Sequence, residues 1–322
     1  MTTPSEWEPT APLAALQLRA RLLARTREFF AVRGVLEVET PILGASTATD
    51  PHIESLRTVV AGSPRFLQTS PELFMKRLLA AGAGPIYQIG KVFRDGESGS
   101  RHNPEFTLLE WYRPGLDHHG LMDEVDQLLQ EVLGCSPPVR ESYFDAFEPR
   151  VGADPHRASA AELQSRVEAL GIHAVGSSGF SREDWLHLLM AEAVEPHLGT
   201  ERPHFLYDFP RELRALARIR KGAPGEPDVA ERFEVFYHGL ELGNGYHELT
   251  DAAEQRQRFF DDLAARRALG RPEVFLDERM IAALEHGLPS CAGVALGFDR
   301  LVMLAANVSS IRAVLSFTID RA

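Results

Sequence analysis

The order of strand-like and helix-like segments most limits what this chain can fold into. Helical spacing of apolar residues predicts helices at 12–32, 72–82, 119–133, 256–270 and 299–306. Alternating patterns and strand-forming residues predict strands at 34–43, 64–69, 86–94, 106–112, 203–210 and 293–298, and two strands separated by a bend within 233–249. Because the two kinds of segment do not alternate as regular βαβ units, the sequence predicts an α+β fold, with an antiparallel sheet flanked by helices.

The chain length allows one large domain or two medium ones. We predict a single catalytic domain over residues 1–322, with a mostly helical insertion at about 137–200 that includes a GSSG loop at 176–179. Neither repeats nor low-complexity tracts interrupt the sequence.

Composition excludes several classes of protein. The sequence contains no run of eighteen apolar residues, so no membrane span is predicted. The polar start MTTPSEWEPT does not have the pattern of a signal peptide. The two cysteines, Cys135 and Cys291, form neither a metal-type pair nor a disulfide framework, which fits a reducing cytoplasm. A net charge of -12 counts against nucleic acid as the main partner but still allows a bound nucleotide.

The strands at 86–94 and 106–112 are predicted to form a hairpin with a long polar tip. Period-2 geometry places Phe106, Glu110 and Tyr112 on one face of the second strand, which suits a long ligand with two different ends. Arg94, at the end of the first strand, has a guanidinium that can grip a phosphate or carboxylate while an aromatic ring stacks on a base. The alternatives are an aromatic face packed under helices, and an Arg94 that pairs with a nearby acid.

A second constellation is GLELGNGYHEL, residues 239–249. Glu241 and Glu248 are seven apart, so a regular strand would place them on opposite faces. The glycines of Gly243-Asn244-Gly245 can host a bulge that resets the phase and brings both carboxylates to one site, a set of ligands that suits Mg²⁺. The alternative is a plain glycine turn between two solvated acids.

A third constellation is GVALGFDRLVML, residues 293–304. The small residues Gly293, Ala295 and Gly297 share one strand face, which lets a ligand lie against the backbone. Arg300 follows in the first turn of the next helix, where a cation is unfavourable to the helix dipole unless an anion such as a polyphosphate binds it. Tight strand-to-helix packing with a surface arginine is the alternative.

Two smaller motifs have simple structural explanations. Thr69-Ser70-Pro71-Glu72 has the pattern of a capping box, so Glu72 can serve as a helix cap alone. His118 and His119 are predicted to be a solvated pair, because no further ligands are spaced for a metal.

Together these segments resemble the three signature motifs of class II aminoacyl-tRNA synthetases, from about Leu16 to the C-terminus. RGVLEVETPIL resembles motif 1, FRDGESGSRHNPEFTLLEWY resembles motif 2 and GVALGFDR resembles motif 3. HNPEFT and ELGNGYHELTD are particularly similar to the lysyl-tRNA synthetases. A class II synthetase-like catalytic domain is therefore expected.

The sequence leaves no room for the anticodon-binding barrel of a lysyl-tRNA synthetase, since motif 1 begins near residue 33 and the barrel needs roughly a hundred residues. The chain resembles instead the elongation factor P (R)-β-lysine ligases, which lack that barrel. The resemblance implies ATP-dependent activation of (R)-β-lysine, transfer to a lysine of elongation factor P, a homodimer formed through motif 1, and no tRNA partner.

The resemblance also implies residue roles, with ATP and Mg²⁺ as cofactors. The catalytic residues are Arg94, Glu241 and Arg300. ATP is bound by Arg94, Glu97, Asn103, Phe106, Glu241, Leu242, Gly297 and Arg300. The amino acid is bound by Ser70, Glu72, Tyr112, Asn244 and Glu248. The metal ligands are Glu241 and Glu248.

Two positions depart from the lysyl enzymes. Their R-x-E at the start of motif 2 places a glutamate near adenine, whereas this chain has Gly96 there and Glu97 one residue later. Ala295 replaces a glycine of the tRNA synthetases, and one methyl group can discriminate ligands by about 1–3 kcal/mol. We expect Ala295 to reshape the pocket away from α-lysine.

Three alternative functions would use the same residues. A non-catalytic regulatory paralogue would bind amino acid without exchanging pyrophosphate into ATP. A lysine–tRNA ligase without an anticodon domain would charge bulk tRNA. A small-molecule amide ligase would use the same activation residues with a different acceptor.

Overall fold

The structure is a computed structural model that describes residues 7–173, 176 and 179–322. Ser177 and Ser178 of the predicted GSSG loop lie outside the described residues, as do residues 1–6. The mixture of helices and largely antiparallel strands confirms the predicted α+β class.

The helices and strands are bounded as follows. The α-helices are α1 (Leu13–Ala31), α2 (Glu72–Ala80), α3 (His118–Leu133), α4 (Tyr143–Val151), α5 (Ala160–Ala169), α6 (Arg182–Leu189), α7 (Ala252–Ala268), α8 (Glu278–Gly287) and α9 (Phe298–Ala306). The strands are β1 (Leu36–Glu37), β2 (Leu43–Gly44), β3 (Arg57–Val60), β4 (Ser63–Leu67), β5 (Ile86–Phe93), β6 (Glu105–Pro114), β7 (Val139–Ser142), β8 (His204–Pro210), β9 (Ile219–Arg220), β10 (Val229–Tyr237), β11 (Leu240–His247) and β12 (Cys291–Gly297).

The chain divides into two compact units. The first comprises the described residues up to Gly115 together with Thr250–Ala322, and the second comprises Leu116–Leu249. The first unit contains the strand order β1-β5-β6-β12, in which β1 is parallel to β5 and the other pairs are antiparallel, and a small β2-β4-β3 sheet.

Aromatic packing fixes α1 on the sheet of the first unit. Phe30, at the end of the buried stripe of α1, stacks on Tyr87 of β5 with ring centroids 4.3 Å apart and contacts Trp111 of β6 at 5.3 Å. Tyr87 and Trp111 are cross-strand partners. All three side chains are almost fully buried, so the odd-numbered residues of β6 face the helix and its even-numbered residues point to the opposite side of the sheet.

The second unit contains the strand order β11-β10-β8-β7, with β9 paired to β10. Helices α4, α5 and α6 lie within the predicted helical segment at 137–200, and their apolar faces share one buried cluster that includes Phe147, Leu163 and Leu186. Capping boxes at Ser159 and Ser181 define where α5 and α6 begin.

The strand prediction was wrong at residues 34–43, and it did not include β3, β7 or the two-residue β9. Residues 34–43 do not form one strand: β1 and β2 have two residues each and pair with different partners, β5 and β4, on the two sides of Pro41. Strands β3 and β7 were missed, because the residues of β3 are all exposed and β7 shows no apolar alternation.

Within the residues that the structure describes, every helix is too short or too polar to cross a membrane.

Candidate active site

The predicted site residues divide between the two units. The first unit holds Ser70, Glu72, Arg94, Glu97, Asn103, Phe106, Tyr112, Gly297 and Arg300. The second unit holds Glu241, Leu242, Asn244 and Glu248.

In the first unit, the register of β6 and β12 places small residues beside three buried side chains of β6. In the β6–β12 pair, Tyr112 lies opposite Gly293, Glu110 opposite Ala295, and Leu108 opposite Gly297. The even-numbered residues of β6 thus share a face with the small residues of β12. Because these residues of β12 have almost no side chain, they occupy little space above the sheet.

A buried carboxylate lies in the middle of this face. Glu110 is 2% exposed; Ser70 Oγ donates to its Oε2 at 2.6 Å and the Tyr112 hydroxyl donates to its Oε1 at 2.7 Å. Our residue assignment included Ser70 and Tyr112 but omitted Glu110. The strand period alone held the signal, since Glu110 lies two residues from Tyr112 on the same face.

The TSPE segment does not act as a capping box. Helix α2 begins without a side-chain cap within the described part of the chain, and Ser70 Oγ instead accepts from the Glu72 backbone N–H at 3.0 Å. Pro71 displaces the cap position by two residues from Thr69, so the T-x-x-E spacing no longer fits. The Glu72 carboxylate accepts from the buried Lys76 Nζ at 2.6 Å.

The hairpin tip brings a guanidinium to an aromatic ring. Arg94 Cζ lies 5.1 Å from the centroid of Phe106, and Arg94 Nη1 lies 3.6 Å from Glu97 Oε1. The predicted adjacency of Arg94 and Phe106 is therefore present, and so is the acid pairing of the alternative interpretation. Both side chains of the ion pair are partly exposed, so water weakens that interaction and a phosphate can compete for the arginine.

Two further residues of the hairpin contact the C-terminal part of the chain. Arg300, in the first turn of α9, contacts His102 of the tip through Nη2 and Nε2 at 2.8 Å. Asn103 donates to the Glu105 carbonyl at 2.7 Å and accepts from the Ile319 backbone N–H at 3.1 Å. The Asn103 amide thus fixes the end of the tip against the chain near Ile319.

In the second unit the predicted bulge is present, but its extra residue is Leu242 and not one of Gly243–Gly245. Across β10 and β11, Phe236 pairs with Glu241 and Val235 pairs with Gly243, so Leu242 is the extra residue of a bulge. Strand β11 continues through Gly243–Gly245, which excludes the plain turn. Because the bulge adds one residue, the side chains of Glu241, Asn244 and the buried Glu248 point to the same face.

Glu241 has two acidic neighbours that the sequence analysis missed. Burial raises the pKa of Glu234 to about 7; the charges of Glu241 and Glu195 act in the same direction, and Arg232 opposes them. Burial and then the charge of Glu241 also raise the pKa of Glu195. Glu234 lies opposite Asn244 on β10 and so shares the face of Glu241. A divalent cation would relieve this repulsion, so the donor set fits Mg²⁺.

The prediction that His118 and His119 form a solvated pair was wrong. His118 is 1% exposed, and its Nε2 lies 3.2 Å from Asp208 Oδ1. Asp208 lies ninety residues after His118, and the nearby Glu231 and His247 come later still. Local sequence spacing cannot reveal such contacts.

Comparison with known proteins decides the family. The family model of class II tRNA synthetases (D, K and N) matches residues 10–321. This chain belongs to the class II tRNA synthetase family. It is 49% identical to an elongation factor P–(R)-β-lysine ligase of Edwardsiella ictaluri and 48% identical to one of Klebsiella pneumoniae, each over 100% of both chains. A relative of the same name from Hamiltonella defensa is 46% identical over the same extent.

Membership of the class II synthetase family confirms the expected fold, and it makes this chain an ATP-dependent ligase. The segments that resemble motifs 2 and 3 form the β5–β6 hairpin and β12 with α9, and β6 pairs with β12 in the first unit.

Proposed function

We propose that this protein activates (R)-β-lysine with ATP and transfers the β-lysyl group to a lysine side chain of elongation factor P. The observation that carries the proposal is the buried Glu110 carboxylate, held by Ser70 and Tyr112 beside Ala295. A buried carboxylate binds an ammonium group strongly, because it offers a charge-assisted hydrogen bond in a medium of low dielectric. Full-length similarity to relatives of that name supports the same substrate and acceptor.

Apart from Glu110, the residues that would bind the amino acid follow from the resemblance to the lysyl enzymes. In the first unit, Glu110, Tyr112 and Ser70 would hold one ammonium group of the substrate, and Glu72 would add a second acid. In the second unit, Glu248 and Asn244 would serve the same substrate, as the resemblance to the lysyl enzymes implies.

The nucleotide is assigned to the hairpin and to motif 3. Phe106 would stack on adenine, and Arg94 would contact the α-phosphate and the carboxylate being activated, which its position beside that ring supports. Arg300 would hold the outer phosphates and Gly297 would leave room for them. Asn103 would act by fixing the tip. Glu97, which lies 3.6 Å from Arg94, would bind adenine in place of the glutamate that the lysyl enzymes have at the position of Gly96.

The second unit supplies the ligands for a metal. Glu241 and Leu242 would line the ATP and metal site, with Glu248 as the second metal ligand implied by the resemblance. Glu234 shares the face of Glu241 on the neighbouring strand, but its carboxylate is already paired with Arg232. Mg²⁺ bound there would neutralise phosphate charge during activation.

The chemistry needs no protein nucleophile. A carboxylate oxygen of β-lysine attacks the α-phosphorus of ATP, the bond to the β-phosphate oxygen breaks, and pyrophosphate leaves. The amine of the acceptor lysine then attacks the carbonyl carbon of the mixed anhydride, forms an amide and releases AMP and a proton.

A homodimer and the absence of a tRNA partner complete the proposal. Large apolar residues are exposed around the motif 1 segment, namely Leu36, Ile42, Leu43, Val59 and Val60, and a second copy of the chain would bury them. The net charge of -12 fits an acceptor other than tRNA.

Mass spectrometry of the acceptor tests the proposal. The enzyme is incubated with ATP, Mg²⁺, each lysine isomer and either purified elongation factor P or bulk tRNA. We expect one β-lysyl group on elongation factor P and none on tRNA. Charging of tRNA would favour the tRNA-ligase alternative, and no ATP–pyrophosphate exchange with any lysine isomer would favour the regulatory paralogue.

A further inference from the structure

A buried cluster of histidines and carboxylates lies in the second unit, apart from the residues assigned to catalysis. His118, Glu231 and His247 each offer a ligand atom, and these atoms lie within 4.8 Å of one another. All three side chains are buried, so the cluster is a feature of the interior and not a set of surface charges.

The backbone explains why the three residues meet. Arg232 pairs with Tyr246 across β10 and β11, which makes Glu231 and His247 neighbours on the other face; His247 Nδ1 lies 3.0 Å from Glu231 Oε2. His118 is the first residue of α3, a helix that packs on both strands. The cluster therefore joins one helix start to two strands.

The two ring nitrogens of His118 are in different situations. Its Nε2 faces Asp208 Oδ1 at 3.2 Å, which favours the proton on that nitrogen. Its Nδ1 then carries a lone pair, and this buried atom has no hydrogen-bond partner among the described residues. Buried polar atoms are nearly always satisfied, so this nitrogen points to a missing ligand. A histidine that donates from one nitrogen to a carboxylate and binds metal through the other is a common arrangement.

We propose that His118, Glu231 and His247 form a binding site for a divalent transition metal of the zinc type. Two imidazoles and one carboxylate suit this class better than Mg²⁺ or Ca²⁺, which prefer oxygen ligands. Bonds of about 2.0–2.2 Å place tetrahedral ligand atoms about 3.4 Å apart, so the widest gap in the cluster must close by at most about 1.4 Å.

The neighbouring charges allow a cation to enter. Arg218 Nε donates to Glu231 Oε2 at 2.6 Å and is the main competitor for that carboxylate. The Arg218 side chain is 48% exposed, so its guanidinium can return to water at little cost. Asp117, the N-cap of α3, and Asp208 add negative charge near the histidines, while Arg220 opposes it from the Asp208 side.

A second grouping, His118 with His119 and Asp208, overlaps the first. It is less suited to a metal, because Arg220 and His118 Nε2 already engage Asp208 and because His119 is only partly buried. We therefore assign the ion to His118, Glu231 and His247. The ion would fix the end of β11, one residue before Glu248.

Metal binding to untagged, full-length protein tests the site. The protein is stripped with a chelator, dialysed and titrated with Zn²⁺ and with Co²⁺, whose visible absorption reports tetrahedral coordination. We expect one ion per chain and a higher unfolding temperature with Zn²⁺. His118→Gln and Glu231→Gln should each lose the ion, whereas the matched control His119→Gln should retain it.

Several results would overturn the site: no stoichiometric binding by the wild-type protein, retention of the ion by folded His118→Gln, or its loss in His119→Gln. Circular dichroism of each variant checks the fold. If His118→Gln does not fold, zinc-edge X-ray absorption of the wild-type protein decides the question. Two imidazoles and one carboxylate oxygen support the site, and any other protein ligand set contradicts it.

Discussion

Replacing Glu110 by glutamine removes one negative charge from the proposed amino-acid pocket while keeping its shape. The amide oxygen can still accept from one hydroxyl, and the amide N–H can donate to the other, because Ser70 and Tyr112 hydroxyls both donate and accept. The fold should therefore survive the change. What the variant loses is the charge that would face a substrate ammonium.

The size of the loss follows from the burial of this side chain, which is 2% exposed. A hydrogen bond to a charged group contributes about 1.5–3 kcal/mol, more than a neutral one. At about 1.4 kcal/mol for each factor of ten, Glu110→Gln should lower kcat/KM for β-lysine by about 10- to 150-fold. The KM for ATP should stay nearly unchanged, since Glu110 is assigned to the amino acid alone.

ATP–pyrophosphate exchange at varied β-lysine and varied ATP measures both constants. Glu105→Gln is the matched control: it lies on the same strand, its side chain makes an exposed ion pair with Lys91 at 3.3 Å, and the change should leave both constants unchanged. If Glu110→Gln leaves kcat/KM for β-lysine unchanged, or raises the KM for ATP instead, the assignment of the amino-acid pocket is wrong.

Three further predictions concern pairing, specificity and pH. Lys76→Met should lower the free energy of unfolding in urea by about 1.5–3 kcal/mol, because the partly exposed Glu72 carboxylate loses its charge-assisted hydrogen bond. The exposed Lys221→Met should change it by less than about 0.5 kcal/mol, and equal effects would contradict this. Ala295→Gly should shift preference toward α-lysine by about 5- to 150-fold in exchange assays, and an unchanged preference would reject the role of the methyl group. Between about pH 4.5 and pH 7 the unfolded chain loses a proton that native Glu234 keeps, so unfolding free energy should fall as pH rises. Glu234→Gln should flatten that decline, and an unaltered pH profile would refute the raised pKa.

Much of the first unit was predictable from sequence. The β5–β6 hairpin, the bare face of β12 and Arg300 at the start of α9 all depend on local periodicity and on glycine placement. The TSPE motif was harder to interpret, because its T-x-x-E spacing is that of a capping box. In the structure Glu72 instead pairs with Lys76, one helical turn later.

The second unit was less predictable, for two physical reasons. A bulge is defined by the partner strand, so sequence indicated a phase reset near the glycines but could not locate it at Leu242. The charge neighbours of Glu241 lie on β10 and at Glu195, which only tertiary packing brings close. The burial of His118 has the same origin, since its partner Asp208 lies on β8, ninety residues away.

The mass of elongation factor P after reaction with this enzyme, ATP and (R)-β-lysine separates the proposed ligase from a tRNA-charging enzyme. We expect a gain of one β-lysyl group on a single lysine, with release of AMP and pyrophosphate, and no charged tRNA in a parallel reaction. An unmodified elongation factor P alongside aminoacylated tRNA would contradict this expectation.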